Sequence, residues 1–296
     1  MLCSVRAWRC GGGGRCSFYA VLDGHGGRRA AEWAAKHVNG AVIAAGLPRE
    51  SVGAAAAATT AGAVPPIVPC TVGHWMNPFI LALPAFMLKR VSVARVPVQV
   101  DIKKAKRAII EGMKSTDEQL LKESLAGNWQ DGATAVCVWV LGQHVFVANL
   151  GDAKAVLARE ADAAAPPAAS TPTAAGPPAG RGQGSEGVAL KAIVVTREHK
   201  AIFPAERQRI EKAGVSCTPD ISVFHLSPRD RFLLLACDGL WGVFSPADAV
   251  KFTQDLLQKG VSVESAARRV VKEGVWERKC KDNCSVLLLS FHHFSA

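Results

Sequence analysis

The alternation of apolar and polar positions divides the chain into short strands and amphipathic helices. Apolar runs rich in β-branched and aromatic residues, each bounded by glycine or polar turn residues, predict strands. These runs cover residues 18–22, 132–140, 144–149, 153–159, 191–196, 230–237 and 284–291. Apolar residues spaced three or four positions apart predict helices. The helices cover residues 28–38, 102–124, 204–213, 246–258 and 262–273.

The order of these elements predicts an α+β fold. The strands between 132 and 159 are joined by short glycine-containing turns, which predicts a three-stranded antiparallel meander. Asp101 and Ser245 stand where a helix N-cap is expected, and Pro246 occupies the first helical position after Ser245. The segment Thr116–Gln119 (TDEQ) is typical of a capping box and leaves open whether 102–124 is one helix or two.

Three stretches lack a clean period. Residues 1–16 are rich in Gly, Arg and Cys and are expected to be an irregular start. Residues 40–100 combine an Ala/Thr run with several prolines, which indicates an insert, and residues 161–188 have the Ala/Pro/Gly composition of a disordered loop. The remaining pattern predicts one domain over 17–296.

Composition narrows the class of protein. The chain has 296 residues, of which 49% are hydrophobic and 20% charged, so global disorder is excluded and a sizeable core is available. The net charge of +10 favours acidic partners, but no basic run carries the interleaved aromatics of a single-strand nucleic-acid binder. We therefore expect no nucleic-acid partner.

Cellular context follows from the cysteines and the apolar runs. The nine cysteines form no CxxC pair, which favours free thiols in a reducing compartment. The longest apolar run, Pro78–Leu88, is too short to span a bilayer, and the start of the chain lacks the apolar region of a secretory signal. These features predict a cytoplasmic or nuclear location and no membrane partner.

Three aspartates lie beside strongly apolar strands. Asp23 and Asp238 follow such strands and precede a glycine, and Asp282 comes just before one. A single aspartate of this kind is usually a turn residue. Several carboxylates at sheet edges that met in one cleft would repel each other unless a cation neutralised them, and Mg²⁺ or Mn²⁺ prefers such oxygens. Gly24 would let a backbone carbonyl approach that cation.

Six motifs, in order, resemble the PP2C (PPM) family of metal-dependent serine/threonine phosphatases. They are FYAVLDGHGG, DGATAVCVWV, VANLGDAKAVLAR, REHKAIFPAERQRIEKAGV, DRFLLLACDGLWGVF and DNCSVLLL. Local similarity is nearest to the integrin-linked-kinase-associated subgroup, including its plant members. The resemblance implies a β-sandwich of antiparallel sheets flanked by helices in α-β-β-α layers, here incomplete at the N-terminus.

The resemblance also implies a metal centre and a reaction. Four residues would hold two Mg²⁺ or Mn²⁺ ions: Asp23, Gly24, Asp238 and Asp282. Asp152 matches a ligand of a third, weaker ion, although a hairpin role is equally compatible with its place in Leu-Gly-Asp. His25 matches a general acid that protonates the leaving alkoxide, a role that suits a side chain titrating near neutrality. The expected reaction is hydrolysis of phosphoserine and phosphothreonine in protein substrates by a monomeric enzyme.

Departures from the family pattern keep a second function open. Residues 1–17 contain no acidic residue to match the acidic pair of the family's upstream strands, nor a clear match to their phosphate-binding arginine. A family segment is missing between Ser216 and Pro219, and Gly242 replaces an acidic residue found in some members. The alternative is a catalytically impaired pseudophosphatase that acts as a binding or scaffold module. No substrate-binding residue is identified.

Overall fold

Ten strands, six α-helices and one short π-helix (Glu273–Glu277) make up the part of the chain that the computed structural model describes, namely residues 2–9, 15–47, 87–92, 100–161, 188–200, 202–213 and 217–292. The strands are β1 (Leu2–Arg9), β2 (Arg15–His25), β3 (Met87–Ser92), β4 (Gly132–Leu141), β5 (His144–Leu150), β6 (Lys154–Glu160), β7 (Leu190–Val194), β8 (Asp220–His225), β9 (Asp230–Ala236) and β10 (Val286–His292). The helices are α1 (Arg29–Ala44), α2 (Ile102–Gly127), α3 (Pro204–Ala213), α4 (Asp238–Trp241), α5 (Pro246–Gln258) and α6 (Val263–Lys272).

The strands form two five-stranded sheets that pack face to face. The first has the order β1-β2-β4-β5-β8, and the second has the order β3-β10-β9-β6-β7. Helices α1 and α2 pack together outside the first sheet, and α5 and α6 pack outside the second. The predicted α+β sandwich with α-β-β-α layers is therefore confirmed. Among the described helices, none is both long and apolar enough to cross a membrane.

The sequence of strand β9 is continuously apolar from Phe232 to Ala236 because the strand is buried on both faces. Leu233 and Leu235 are fully buried in the core between the sheets, and Leu234 and Ala236 are fully buried in the layer beneath α5 and α6. Successive side chains of a strand point to opposite faces, so a strand covered on both faces needs no polar alternation. The pattern of β9 therefore places its C-terminal end, and the aspartate that follows, at the rim of a doubly covered sheet.

The first sheet is joined to its helical layer by Trp139 of β4. This side chain is fully buried and its ring centroid lies 5.0 Å from that of Phe18 in β2. The indole nitrogen donates a 3.1 Å hydrogen bond to the side-chain oxygen of Asn39, a buried residue of α1. A buried indole N–H needs such a partner, and this bond fixes α1 over β2 and β4.

The predicted three-stranded meander is wrong at its third strand. Strand β5 pairs with β4 and β8 in the first sheet, whereas β6 pairs with β7 and β9 in the second. The buried amide of Asn149 donates to the backbone carbonyls of Gly151 (2.9 Å) and Arg197 (2.8 Å) and so holds the crossover between the sheets. A short glycine turn gave no sign that the chain changes sheets here.

Helix α2 is a single helix, so the capping-box interpretation of Thr116–Gln119 is wrong. Thr116 is buried within the helix, and its hydroxyl donates to the carbonyl of Gly112 at 2.7 Å. The predicted start at Asp101 is correct, because its carboxylate accepts from the backbone N–H of Lys104 at 3.0 Å. The longer helix follows from tertiary burial, which overrides a local capping signal.

The segments without a clear period differ from expectation where the structure describes them. Residues 2–9 form β1, which pairs antiparallel with β2, although the start was expected to be irregular. The predicted insert contains the end of α1 and also β3, which lies parallel to β10 along its free edge. Backbone pairing with a neighbour, which no local pattern reveals, accounts for both strands. The rest of the insert and most of the predicted 161–188 loop lie outside the described residues.

The expectation of free thiols holds for five cysteines and is wrong for one. Cys137, Cys217, Cys237, Cys280 and Cys284 are free. Cys16 at the start of β2 is disulfide-bonded. The β1–β2 ladder brings the cysteine-containing start of the chain alongside β2, a proximity that sequence spacing alone does not show.

Candidate metal centre

The first element of the site is the C-terminal end of β2. The strand is longer than predicted and continues through Asp23 and Gly24 to His25, which lie opposite Thr134, Ala133 and Gly132 of β4. Because side chains alternate along a strand, Asp23 and His25 share one face. The preceding residues of β2 are buried, so the strand delivers these two side chains to the rim of the first sheet.

The second element comes from the other sheet. Strand β9 ends at Ala236, and Asp238 is the first residue of the short helix α4. Ligand atoms of Asp23, Asp238 and the intervening thiol of Cys237 all lie within 4.8 Å of one another. The structure therefore brings together two carboxylates that are 215 positions apart in the chain, as their shared strand-end context predicts.

Asp282 reaches the site through a close contact between two backbone segments. A Cβ atom at Gly239 would lie 2.0 Å from the carbonyl oxygen of Asn283, so only glycine permits this approach. The Cys237 thiol donates to the same carbonyl at 3.1 Å, and the backbone N–H of Asn283 donates to Asp282 Oδ1 at 2.6 Å. These contacts hold the segment before β10 against the start of α4.

Asp152 joins the same electrostatic environment from the β5–β6 crossover. Its carboxylate lies 3.7 Å from Lys200 Nζ, which is also 3.7 Å from Glu198. Glu198 in turn pairs with Lys154 at 2.9 Å. Lys200 thus lies on the wall of the site, and the carboxylate of Asp152 interacts with it, which a hairpin role alone would not require.

Burial and neighbouring carboxylates raise the pKa values of Asp23 and Asp238. Burial raises the pKa of Asp23 to about 7, and repulsion from Asp238, Asp282 and Asp152 adds to the effect. Burial also raises the pKa of Asp238, again with contributions from Asp152 and Asp282, and the Lys200 ammonium only partly offsets them. Repulsion of this kind acts over short distances, so Asp282 and Asp152 lie in the electrostatic surroundings of both Asp23 and Asp238.

The chemistry of the donors suits a hard divalent cation. Among the described residues, no cationic side chain is within ion-pair distance of Asp23 or Asp238. Burial raises the pKa of the Cys237 thiol to about 12, so this group stays protonated and is a poor ligand. Carboxylate oxygens remain, and these are the ligands that Mg²⁺ and Mn²⁺ prefer. The residues therefore fit such an ion.

His25 lies at the edge of this arrangement with an exposed side chain. Its imidazole rests on Gly132, where an added Cβ would be only 2.3 Å from Nε2. The glycine therefore makes room for the ring beside the end of β4. The nearby Asp131 has a role in the fold, because its carboxylate accepts a 2.8 Å hydrogen bond from the backbone N–H of Arg29 at the start of α1.

A cleft of about 450 Å³ opens onto two of the carboxylates, Asp238 and Asp282. Its wall includes Asp238, Asp282 and Lys200, and also Lys279 and Lys281 of the segment before β10. Sequence reasoning missed Cys237 and the lysines of this wall. The position of Cys237 directly before Asp238 was the one available signal for the thiol, and no pattern marked the lysines.

The comparisons with known proteins agree with this geometry. The sequence model of the family described as Protein phosphatase 2C matches residues 89–216 and 212–284. Probable protein phosphatase 2C 67 of Oryza sativa subsp. japonica is 44% identical over 310 residues, which cover 94% of this chain and 67% of that protein. Probable protein phosphatase 2C 8 of Arabidopsis thaliana is 42% identical, over 94% of this chain and 69% of that protein.

More distant matches point the same way. The human integrin-linked kinase-associated serine/threonine phosphatase 2C is 29% identical over 94% of this chain and 64% of its own length. The crystal structure of serine-threonine phosphatase 2C from Toxoplasma gondii matches with a TM-score of 0.60 and 18% identity, covering 97% of this chain and 93% of that one, which supports the fold. The chain belongs to the protein phosphatase 2C family.

Proposed function

We propose that this chain removes phosphate from phosphoserine and phosphothreonine in proteins with the help of Mg²⁺ or Mn²⁺. The observation that carries the proposal is the convergence of Asp23 and Asp238, from different sheets, beside Asp282 and Asp152. Besides burial, the charges of Asp238, Asp282 and Asp152 disfavour ionisation of Asp23 in the metal-free protein, and those of Asp152 and Asp282 disfavour ionisation of Asp238. Such an arrangement is unfavourable for the fold alone and favourable for holding divalent cations.

Each residue of the cluster is assigned a role in holding the metal ions. A pair of bound divalent cations would neutralise the carboxylates and supply an activated water for attack on phosphorus. Asp23, Asp238 and Asp282, together with the backbone carbonyl of Gly24, would hold these ions. Asp152, already near Lys200, would contribute to a further, weaker site.

We also propose a role for His25 in the reaction. Its side chain is exposed and shares a face of β2 with Asp23. We assign to it the transfer of a proton to the departing serine or threonine oxygen. The Gly132 position, which makes room for the ring, keeps the imidazole against β4.

Metal-dependent turnover of a phosphothreonine peptide tests the proposal. Wild-type protein should release phosphate with Mn²⁺ and not with EDTA, and Asp238→Asn should lose more than tenfold in kcat/KM, a change of over ~1.4 kcal/mol. The matched control is Asp255→Asn, an exposed position on α5 outside the cleft, which should retain activity. Equal activity of Asp238→Asn and the control would refute the metal assignment.

The scaffold alternative has no observation in its favour, either in the described residues or in the comparisons. A folded wild-type protein that binds phosphopeptide but shows no Mn²⁺-dependent turnover would revive it. We further propose that the protein is a monomer of the cytoplasm or nucleus that binds neither nucleic acid nor membrane. Five of the cysteines are free thiols and one, Cys16, is disulfide-bonded, so the thiols on balance favour a reducing compartment. The sequence has no aromatic-interleaved basic run, which supports the absence of a nucleic-acid partner. Light scattering and a salt-dependent gel shift test it.

A further inference from the structure

Lysine side chains surround the proposed metal centre on its open side. The cleft wall contains four of them: Lys154, Lys200, Lys279 and Lys281. The first two are neutralised within the wall, because Lys154 lies 2.9 Å from Glu198 and Lys200 lies 3.7 Å from both Glu198 and Asp152. Among the residues that the structure describes, no carboxylate lies within 4.0 Å of Lys279 or Lys281. Both side chains are exposed.

The backbone holds these two lysines in place. Lys279 has a φ of +58°, a left-handed conformation that is unfavourable for a residue with a Cβ. The residues on either side are bonded: the N–H of Arg278 donates to the carbonyl of Glu273 at 2.9 Å, and that of Cys280 donates to Gly274 at 3.0 Å. The Cys280 thiol also donates to the Gly239 carbonyl at 2.9 Å. The turn is therefore fixed against the start of α4.

The cations of this turn differ in their surroundings: Arg278 contacts partners within the fold, whereas the two lysines line the cleft. The Arg278 guanidinium lies 3.8 Å from the centre of the Phe244 ring and donates to the Val243 carbonyl at 3.2 Å. Its Nε also lies 3.6 Å from the Glu273 carboxylate, so its charge is paired within the fold. Lys279 and Lys281 instead line the cleft on which Asp238 opens. We name these two residues the lysine rim.

We infer that the lysine rim binds acidic side chains next to the phosphorylated residue, so that preferred substrates are phosphorylated segments rich in Asp and Glu. The inference rests on the proposed function, because the substrate phosphate must lie at the metal centre. Bound divalent cations would neutralise Asp238 and Asp282. The unpaired lysines would then set the sign of the field at this side of the cleft and attract an acidic flank.

The expected size of the effect is modest because the rim is exposed. An exposed ion pair contributes up to about fivefold in affinity, so two lysines should give roughly a five- to twentyfold preference for an acidic flank. Salt screens exposed charges within about a Debye length, so the preference should fall as ionic strength rises. A preference that came from shape or hydrophobic contact would not respond to salt in this way.

The test compares two phosphothreonine peptides that differ only in having Asp and Glu, or Asn and Gln, around the phosphothreonine. We expect a higher kcat/KM for the acidic peptide in 25 mM salt and a smaller ratio in 300 mM salt. The double variant Lys279→Asn/Lys281→Gln should abolish the preference. Asparagine is chosen at 279 because it tolerates the left-handed backbone. The control Lys251→Gln/Lys259→Asn changes two exposed lysines outside the cleft and should keep the wild-type ratio.

Three further readouts separate the outcomes. If the double variant loses more kcat/KM with the acidic peptide than with the neutral one, the lysine rim is supported. If it loses kcat/KM equally with both peptides and also with p-nitrophenyl phosphate, the lysines bind the phosphoryl group instead, and the inference is overturned. If Lys281→Gln alters the Mn²⁺ half-saturation through neighbouring Asp282, the peptide comparison is made with the single variant Lys279→Asn instead of the double variant. Binding of non-hydrolysable phosphonate versions of both peptides needs no turnover. An inactive chain that still prefers the acidic phosphonate would refute the proposed function and leave the rim standing, and equal binding of both phosphonates would overturn the rim.

Discussion

Replacing Asp23 with asparagine should remove activity and at the same time stabilise the metal-free protein. The carboxylate is partly buried beside Asp238, and these two effects raise its pKa from 3.8 to about 7. A carboxyl group whose pKa is higher in the folded state favours unfolding once it ionises. The destabilisation is absent below about pH 4, grows as the pH rises, and is complete above about pH 7.

The size of this effect follows from the pKa. Taken in full, the rise to about 7 corresponds to ~4 kcal/mol, and solvent screening of a partly exposed carboxylate reduces this to ~1–2 kcal/mol. The amide of asparagine carries no charge and does not experience the repulsion. At pH 7.5 the variant should therefore unfold ~2–8 °C above the wild type when metal is absent.

Calorimetric unfolding in EDTA at pH 7.5 and pH 5.0 measures the difference. The gain of Asp23→Asn over the wild type should be large at pH 7.5 and small at pH 5.0, and Mn²⁺ should raise the Tm of the wild type only. The exposed position Asp255 provides the matched control, since Asp255→Asn should show no pH-dependent gain. A variant that is no more stable than the wild type at pH 7.5, or equally stabilised at both pH values, would refute the electrostatic account of the site.

Three other predictions address the fold and the thiols. Asp230 is fully buried and its carboxylate lies 2.5 Å from Arg159, so Asp230→Ala should cost ~3 kcal/mol in urea unfolding without changing Mn²⁺ half-saturation; a loss under ~1 kcal/mol would contradict this. Gly239→Ala introduces a Cβ 2.0 Å from a carbonyl oxygen and should weaken Mn²⁺ binding at least tenfold, whereas Gly40→Ala, which meets no atom within 4 Å, should not. Burial raises the pKa of the Cys237 thiol to about 12, so iodoacetamide should inactivate no faster than unfolding, and rapid loss prevented by phosphate would argue for a cysteine nucleophile.

Features set by local chemistry could be predicted from the sequence. The bounds of α5 are those expected, because Ser245 accepts from the backbone N–H of Asp248 at 3.1 Å and Pro246 fits the first turn. The bounds of α3, from Pro204 to Ala213, are also those expected. Caps and turns act over three or four residues, so the sequence contains all the information that they need.

Features set by pairing between distant segments could not be predicted in the same way. The chain changes sheets at Gly151, and the Asn149 amide stabilises this crossover by donating to the carbonyl of Arg197, which lies 46 positions after Gly151. Strand β1 forms because β2 lies beside it. Thr116 looks like a capping residue until its burial in α2 is known.

The candidate site falls between these two cases. A strand that ends in Asp-Gly is a local signal, and it marks Asp23 and Asp238, whose carboxylates the structure brings close together. That these carboxylates, with Asp282, meet in one cleft follows from the packing of two sheets. No local pattern predicted the lysine rim, because it is distinguished from the other lysines of the cleft wall only by the ion pairs that those lysines form in the structure.

Calorimetric titration of the metal-free protein with Mn²⁺ at pH 7.5 tests the central claim most directly. The carboxylate cluster predicts saturable binding, with one ion held more tightly than a second. Asp23, Asp238 and Asp282 supply enough charge for one ion and leave few protein ligands for another. Asp238→Asn should weaken the tight site at least tenfold, and Asp255→Asn should leave it unchanged. No saturable binding to the wild type, or binding unaffected by Asp238→Asn, would contradict a metal centre at this place.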